Sequence, residues 1–189
     1  MPVFRSQHQA ELLTWLLMHP EREYGVTELA DRLGVPLSTL HREIVRLDEA
    51  GLVSSRKQGR NRLVRANAAH PAVPALTQLL ELTFGPRVVI AEEFGIAGAD
   101  QVIIFGSWAA RYAGETGPPP RDIDVLVVGA VDRADLYEAA DRAQARLGVA
   151  VNPVLRSRQA WERPQDALVA QIKAAEYLVA YDAQYPVGA

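Results

Sequence analysis

Two aspartates stand two residues apart, Asp122 and Asp124, in the run Asp-Ile-Asp-Val-Leu-Val-Val. If that run is a strand, both carboxylates project from one face, with Cα atoms roughly 7 Å apart. Leu126 and Val128 continue that face inward, while Ile123, Val125 and Val127 cover the other. Two ionised carboxylates about 6 Å apart repel by roughly 3 kcal/mol at an effective dielectric near 20, and a divalent cation relieves this. Mg²⁺ is a hard, oxygen-seeking ion commonly held by one or two carboxylates together with substrate phosphates. Upstream, Gly106-Ser107 follows the apolar run Val102 to Phe105 at a strand-to-helix junction. There the backbone can approach a phosphate closely, and free N–H groups and the serine hydroxyl can donate to it. Alone, either piece has a plainer use: two acids solvating an exposed strand end, or a glycine making a turn. Their combination, one after a buried strand and the other opening the next, points to phosphate and metal chemistry.

A second set of residues lies near the N-terminus. A helix starting near Pro36 carries Leu40, Ile44 and Leu47 at i, i+4, i+7, which puts Thr39, Arg42 and Arg46 on the opposite face. Ser38, Thr39, His41 and Arg42 occupy its N-terminal half, the part of such a helix that reaches base edges in the DNA major groove. Arginine makes the commonest specific contact, a bidentate one to guanine. The following hairpin holds Arg56, Lys57, Arg60, Arg62 and Arg65 within ten residues with no acid among them. Such a cluster beside an Arg-bearing helix favours phosphate contact. The plainer alternatives are a solvated ribbon and a protein-binding helical domain. His41 carries little weight by itself, since nothing near it suggests a metal.

These residues need elements to position them. Leu12, Leu13, Leu16 and Leu17 recur at helical spacing, and Pro20 closes that helix. Thr27 is placed to cap a short helix carrying Leu29, Ala30 and Leu33, ended by Gly34. Leu52 to Lys57 and Asn61 to Ala66 read as two strands around Gln58-Gly59-Arg60. From Asn67 to about Ala99 the chain is rich in Leu, Ala and Pro, and one or two linking helices are expected there. Beyond it come strands at Val102–Phe105 and Asp122–Val128 and an amphipathic helix over Asp132–Leu147. A strand at Val149–Leu155 follows, then a last helix over about Pro164–Ala180 with Leu168, Ile172, Ala175 and Val179 inward. Pro153 marks its strand as an edge strand or a bulge. Trp108, Trp161 and Tyr177, the last placed in the closing helix, read as packing residues rather than base-stacking platforms.

The predicted fold class is therefore α/β (α+β), with residues 1–67 a helix-turn-helix domain bearing a β wing, 68–99 a helical linker, and 100–189 a small mixed-sheet domain. Composition agrees with a globular chain: 189 residues, 49% hydrophobic and 23% charged. With no cysteine, disulfide frameworks and cysteine-ligated metal sites are excluded. No apolar run reaches the roughly 20 residues of a membrane span and no leader is evident, so a cytoplasmic protein without membrane association is expected. The net charge of -3 splits into ten Lys and Arg against eight Asp and Glu over residues 1–67, and ten against fifteen beyond. That asymmetry implies different partners for the two parts.

Two resemblances follow from these motifs. The stretch Val26-Thr-Glu-Leu-Ala-Asp-Arg-Leu-Gly-Val, with Ser38-Thr-Leu-His-Arg-Glu-Ile and Leu47-Asp-Glu-Ala-Gly-Leu-Val, resembles winged helix-turn-helix regulators of the ArsR and MarR type over roughly residues 5–66. Metal sensing of the ArsR kind has no support, because cysteine is absent and the four histidines are scattered. The resemblance implies double-stranded DNA as partner, read by Ser38, Thr39, His41, Arg42, Arg46, Lys57, Arg60 and Arg62. It also implies a homodimer, with residues Leu76 to Leu82 as the contact.

Phe105-Gly-Ser-Trp-Ala-Ala-Arg-Tyr and Arg121-Asp-Ile-Asp-Val-Leu-Val-Val-Gly129 resemble the minimal nucleotidyltransferases of the polymerase-β superfamily. His70-Pro and Val151-Asn-Pro-Val extend the likeness to winged-helix proteins with such a domain appended. It implies a nucleoside triphosphate bound by Gly106, Ser107 and Arg111, with Mg²⁺ or Mn²⁺ on Asp122 and Asp124. Active members carry a third carboxylate on the following strand, where this chain has Asn152, and a serine where it has Arg121. An amide can ligate a metal but cannot accept a proton. The implied function is a DNA-binding regulator that binds a nucleotide with little or no catalysis. The alternative is an active, antitoxin-like transferase placing a nucleoside monophosphate on a hydroxyl of a protein or small molecule.

Overall fold

The computed structural model describes residues 4–163 and 165–185. Its backbone divides into two compact units, residues 1–85 and 86–189. Segment 68–99, expected as one linker, is thereby shared between them.

In the first unit, α1 (Gln7–Met18) is capped by Ser6, whose hydroxyl accepts from the Gln9 amide. Its buried Leu12, Leu13, Leu16 and Leu17 join one core with residues of every later element of the unit. A two-residue strand β1 (Tyr24–Gly25) leads directly into α2 (Val26–Leu33). The cap of α2 is Gly25 rather than Thr27, and the Glu28 carboxylate accepts from the Gly25 amide. Gly34 ends α2 at φ +61°, a left-handed conformation in which a glycine avoids the Cβ clash. After a tight turn, α3 (Leu37–Glu49) buries Leu40, Ile44 and Leu47 as its spacing predicts. Then β2 (Val53–Gln58) and β3 (Asn61–Ala66) form the hairpin, and β1 pairs with β3 to make a three-stranded antiparallel sheet. Helix α4 (Val73–Phe84) packs along α1. Leu76 and Leu80 turn toward the core, whereas Leu79 and Leu82 are exposed.

The second unit begins with α5 (Pro86–Phe94), followed by β4 (Ala99–Phe105), α6 (Ser107–Tyr112) and β5 (Asp122–Gly129). Next come α7 (Arg133–Leu147), β6 (Ala150–Arg156), α8 (Arg158–Glu162), α9 (Ala167–Ala174) and β7 (Leu178–Asp182). The sheet order is β6-β5-β4-β7, with β5 and β6 parallel and the other pairs antiparallel. The two central strands are apolar through their middle, Val102–Ile104 and Val125–Val128, because both faces are covered there. Val102, Ile103, Ile104, Ile123, Val125, Leu126 and Val127 have no solvent exposure. Helix α7 makes the crossover between the parallel strands, starting at the Asp132 cap and ending at Gly148 with φ +71°. Pro153 lies in β6, at the edge of the sheet, where a missing N–H leaves no interior ladder bond unmade.

The end of the chain departs from the expected last helix over Pro164–Ala180. Pro164 lies outside the described residues; α9 stops at Ala174, Ala175 turns extended (φ -113°, ψ 176°), and the chain re-enters the sheet as β7. Leu168, Ile172, Ala175 and Val179 keep helical spacing only by coincidence across this break. Val179 pairs with Ile103 instead, and β7 satisfies the open edge of the buried strand β4.

Helices α5 and α7 are joined by Glu93, which accepts from Arg142 Nε (2.8 Å) and Arg146 Nη1 (2.6 Å). Burial works against the charged form of Glu93, but these hydrogen bonds outweigh it and hold its pKa below the ordinary 4.5. A lowered folded-state pKa stabilises the fold above the unfolded value, and the gain disappears as pH falls through the folded value. Glu93→Gln is therefore expected to cost about 1 kcal/mol at pH 7. Urea unfolding curves of variant and wild type should converge below the folded pKa. An equal gap at neutral and strongly acidic pH would remove the ion pairs as its source.

Candidate functional site

The first candidate surface is α3 with the wing. Ser38, His41, Arg42 and Val45 are exposed along one stripe of α3 at i, i+3, i+4, i+7. Thr39 is half-buried, and its hydroxyl oxygen accepts from Arg42 Nη2 at 3.4 Å. Val45 was not singled out from the sequence because the apolar pattern of α3 points elsewhere. At 40% exposure it offers the kind of apolar contact that a thymine methyl accepts. Arg46 points to its own helix: its Nη1 donates at 2.7 Å to Glu43, a buried acid that also accepts from Gln9 Nε2.

The wing cations divide by strand parity. Lys57 and Arg62 are cross-strand partners and share a face, while Arg56 and Arg65 belong to the other. Arg56 forms a two-pronged pair with Glu23 (3.0 and 2.5 Å), which lowers the Glu23 pKa through the hydrogen bond first and charge attraction second. Arg62 is turned inward and donates to Asp48 of α3 (2.9 Å) and to the Ser55 hydroxyl (2.7 Å). It therefore ties the hairpin to α3. Lys57 and Arg60 remain exposed near the tip. The five-cation cluster visible in the sequence is thus partly spent on internal ion pairs, whose acidic partners lie 14 and 33 residues away.

The second candidate site lies on the sheet of the second unit. Asp122 and Asp124 sit at the start of β5, on the face continued by Leu126 and Val128, which pack with Ile103 and Ile172. Asp122 is exposed and Asp124 half-buried. In β6, Asn152 pairs across from Asp124. Its amide Nδ2 donates to Asp122 Oδ2 and to Asp124 Oδ1, both at 3.2 Å, and so bridges two groups that would otherwise repel. From the other side, Gly106 closes β4 with φ +70°, and a Cβ there would meet Asp124 Oδ2 at 3.1 Å. Both the positive φ and this approach favour glycine. Ser107 opens α6 and is exposed beside it. Gly106, Ser107, Asp122, Asp124 and Asn152 are thus brought together. Arg111 is engaged locally, its Nη1 donating to the Gly117 carbonyl at 2.7 Å and holding the proline-rich loop.

Among the described residues no three His, Cys, Asp or Glu side chains gather as a metal site. Two carboxylates and one amide do form a hard donor set of the kind that Mg²⁺ or Mn²⁺ shares with substrate phosphates. Trp108 is buried at the α6 junction, whereas Tyr177 lies outside any helix, just before β7, and is 40% exposed. No helix among the described residues is long and apolar enough to cross a membrane.

Comparison with known proteins places one family match, in the first unit. No curated protein matches the chain. Among solved structures it is similar to reduced HlyU from Vibrio cholerae, at 26% identity over 42% of this chain and 78% of that one, TM-score 0.36. It is also similar to NolR from Sinorhizobium fredii, at 20% identity over 45% and 97%, TM-score 0.31. A third similarity is to a chain of the tri-AMPylated Shewanella oneidensis HEPN toxin in complex with MNT antitoxin, at 19% identity over 57% and 74%, TM-score 0.36. The family whose model matches is the IclR helix-turn-helix domain, over residues 10–57, which span α1 to β2. The first unit therefore carries a helix-turn-helix DNA-binding domain, similar over residues 10–57 to that of the IclR type.

Proposed function

We propose that this protein is a DNA-binding transcription regulator whose second unit binds a nucleoside triphosphate together with Mg²⁺ or Mn²⁺, with transfer chemistry weak or absent. The observation that carries this reading is the convergence of Asp122, Asp124 and Asn152 with the glycine approach at Gly106. Asp122 and Asp124 would hold the ion, which when bound screens the charge of the phosphates. Ser107 and the backbone beside it supply donors to a phosphate oxygen. Asn152 occupies the position from which a carboxylate would deprotonate an attacking hydroxyl, and its amide cannot take that proton. The nucleotide acts as an effector only by preferring one DNA-binding state over the other.

Incubation with α-labelled nucleoside triphosphates and Mg²⁺ or Mn²⁺ tests the catalytic half. Wild type should leave little or no label on the protein or on added hydroxyl acceptors. Asn152→Asp should raise residual transfer by tenfold or more, since a placed general base contributes about 10²–10⁴. Rapid labelling by wild type would replace this reading with that of an active nucleotidyltransferase.

A further inference from the structure

The carboxylate face of the sheet has a second feature, on the far side of β4. Leu126, Val128, Ile103 and Ile172 form a small core on that face, against which Phe105 and Trp161 pack. Trp161 comes from α8 and meets Tyr177 edge-to-face, with ring centroids 5.7 Å apart and an interplanar angle of 88°. Lys173 of α9 holds its ammonium 4.4 Å from the centroid of the Trp161 ring. Tyr177 stays 40% exposed. Its position is set by register: Leu178, the next residue, pairs with Ile104, and Phe105, one step on, pairs with Asp124. Asp124 and Tyr177 are thus separated by two interstrand spacings, about 10 Å.

We propose that Tyr177, backed by Trp161, is the shelf on which the base of the bound nucleotide stacks. The inference rests on the nucleotide reading of the carboxylate site. A triphosphate held at Asp122, Asp124 and Gly106-Ser107 must carry its base away from that charged end, and a ribose with its α-phosphate spans the roughly 10 Å to Tyr177. The tyrosine ring is fixed from behind by a half-buried tryptophan, so little freedom is lost when a base covers it. Lys173, over the Trp161 ring, helps hold that support in place. Every base has a π-face, so such a shelf distinguishes a nucleotide from a bare polyphosphate rather than one base from another.

Calorimetric titration of the full chain with ATP and with inorganic tripolyphosphate, both in Mg²⁺, separates the two layers. Wild type should bind ATP roughly five- to a hundredfold more tightly than tripolyphosphate, the range of one base-aromatic stack. Tyr177→Ala should erase most of that difference, Tyr177→Phe should keep it, and tripolyphosphate affinity should be the same in all three. Transferred NOEs from adenine H2 and H8 to tyrosine ring protons in wild type provide evidence that needs no substitution, and their absence counts against the shelf. If ATP binds no better than tripolyphosphate, or Tyr177→Ala weakens both alike, the shelf is wrong and the phosphate site stands. If neither ligand binds, the shelf falls together with the nucleotide reading.

Discussion

Replacing both carboxylates, Asp122→Asn with Asp124→Asn, is expected to abolish Mg²⁺-dependent ATP binding, with affinity falling by well over about a hundredfold. Residues that merely orient metal ligands are worth about ten- to a hundredfold in affinity, and on the proposed reading this change removes the anionic ligands themselves. The amide pair retains hydrogen-bonding capacity toward Asn152, which now donates to both carboxylates. The repulsion between two like charges is lost at the same time. Thermal unfolding should therefore stay at or above the wild-type midpoint, so lost binding cannot be ascribed to lost fold. Ser107→Ala removes a single donor and should weaken binding only severalfold. Titrations with ATP, GTP, CTP and UTP decide the matter. Equal affinity in wild type and the double variant would show that Asp122 and Asp124 do not hold the metal.

A comparably large effect is expected on the DNA side, and the ion pairs of the wing decide where. Lys57→Ala with Arg60→Ala should weaken binding to every duplex and reduce the slope of log affinity against log salt by roughly 1.8, about 0.9 for each phosphate contact. Arg42→Ala should instead relax sequence preference, because Arg42 is exposed on α3 and, on the proposed reading, faces base edges. Arg62→Ala should behave differently from the tip residues. With its guanidinium on Asp48 and Ser55, the loss is one of fold, about 1–2 kcal/mol of stability, with little change in salt slope. Fluorescence anisotropy with labelled duplexes across a salt series, alongside urea unfolding, separates these outcomes. A slope flattened as much by Arg62→Ala as by the tip pair would place that side chain on phosphate after all.

Local pattern carried much of this molecule. Helical spacing of Leu12, Leu13, Leu16 and Leu17, and of Leu40, Ile44 and Leu47, depends on neighbours along one turn, so α1 and α3 were legible from residue types alone. The alternation that sets Asp122 and Asp124 on one face of β5 is equally local, because strand parity is a property of the backbone. The glycine at the β4–α6 junction could likewise be placed, since few residues tolerate such a turn.

Pairing between distant segments could not be read in this way. Whether a cation of the wing is available depends on acids brought to it by folding: Glu23 to Arg56 and Asp48 to Arg62. No periodicity encodes these partners. The last apolar stretch obeyed helical spacing, yet its end became β7, because the open edge of β4 offered backbone partners that a longer helix would have left unmet. Strand register set Asn152 beside both aspartates and Tyr177 two strands away on the edge of the same sheet. The sequence by itself determined most of the helices and strands and the face on which the carboxylates stand. Only the tertiary structure decided which side chains meet them, because hydrogen bonds and ion pairs between remote segments form after the hydrophobic faces have chosen their partners.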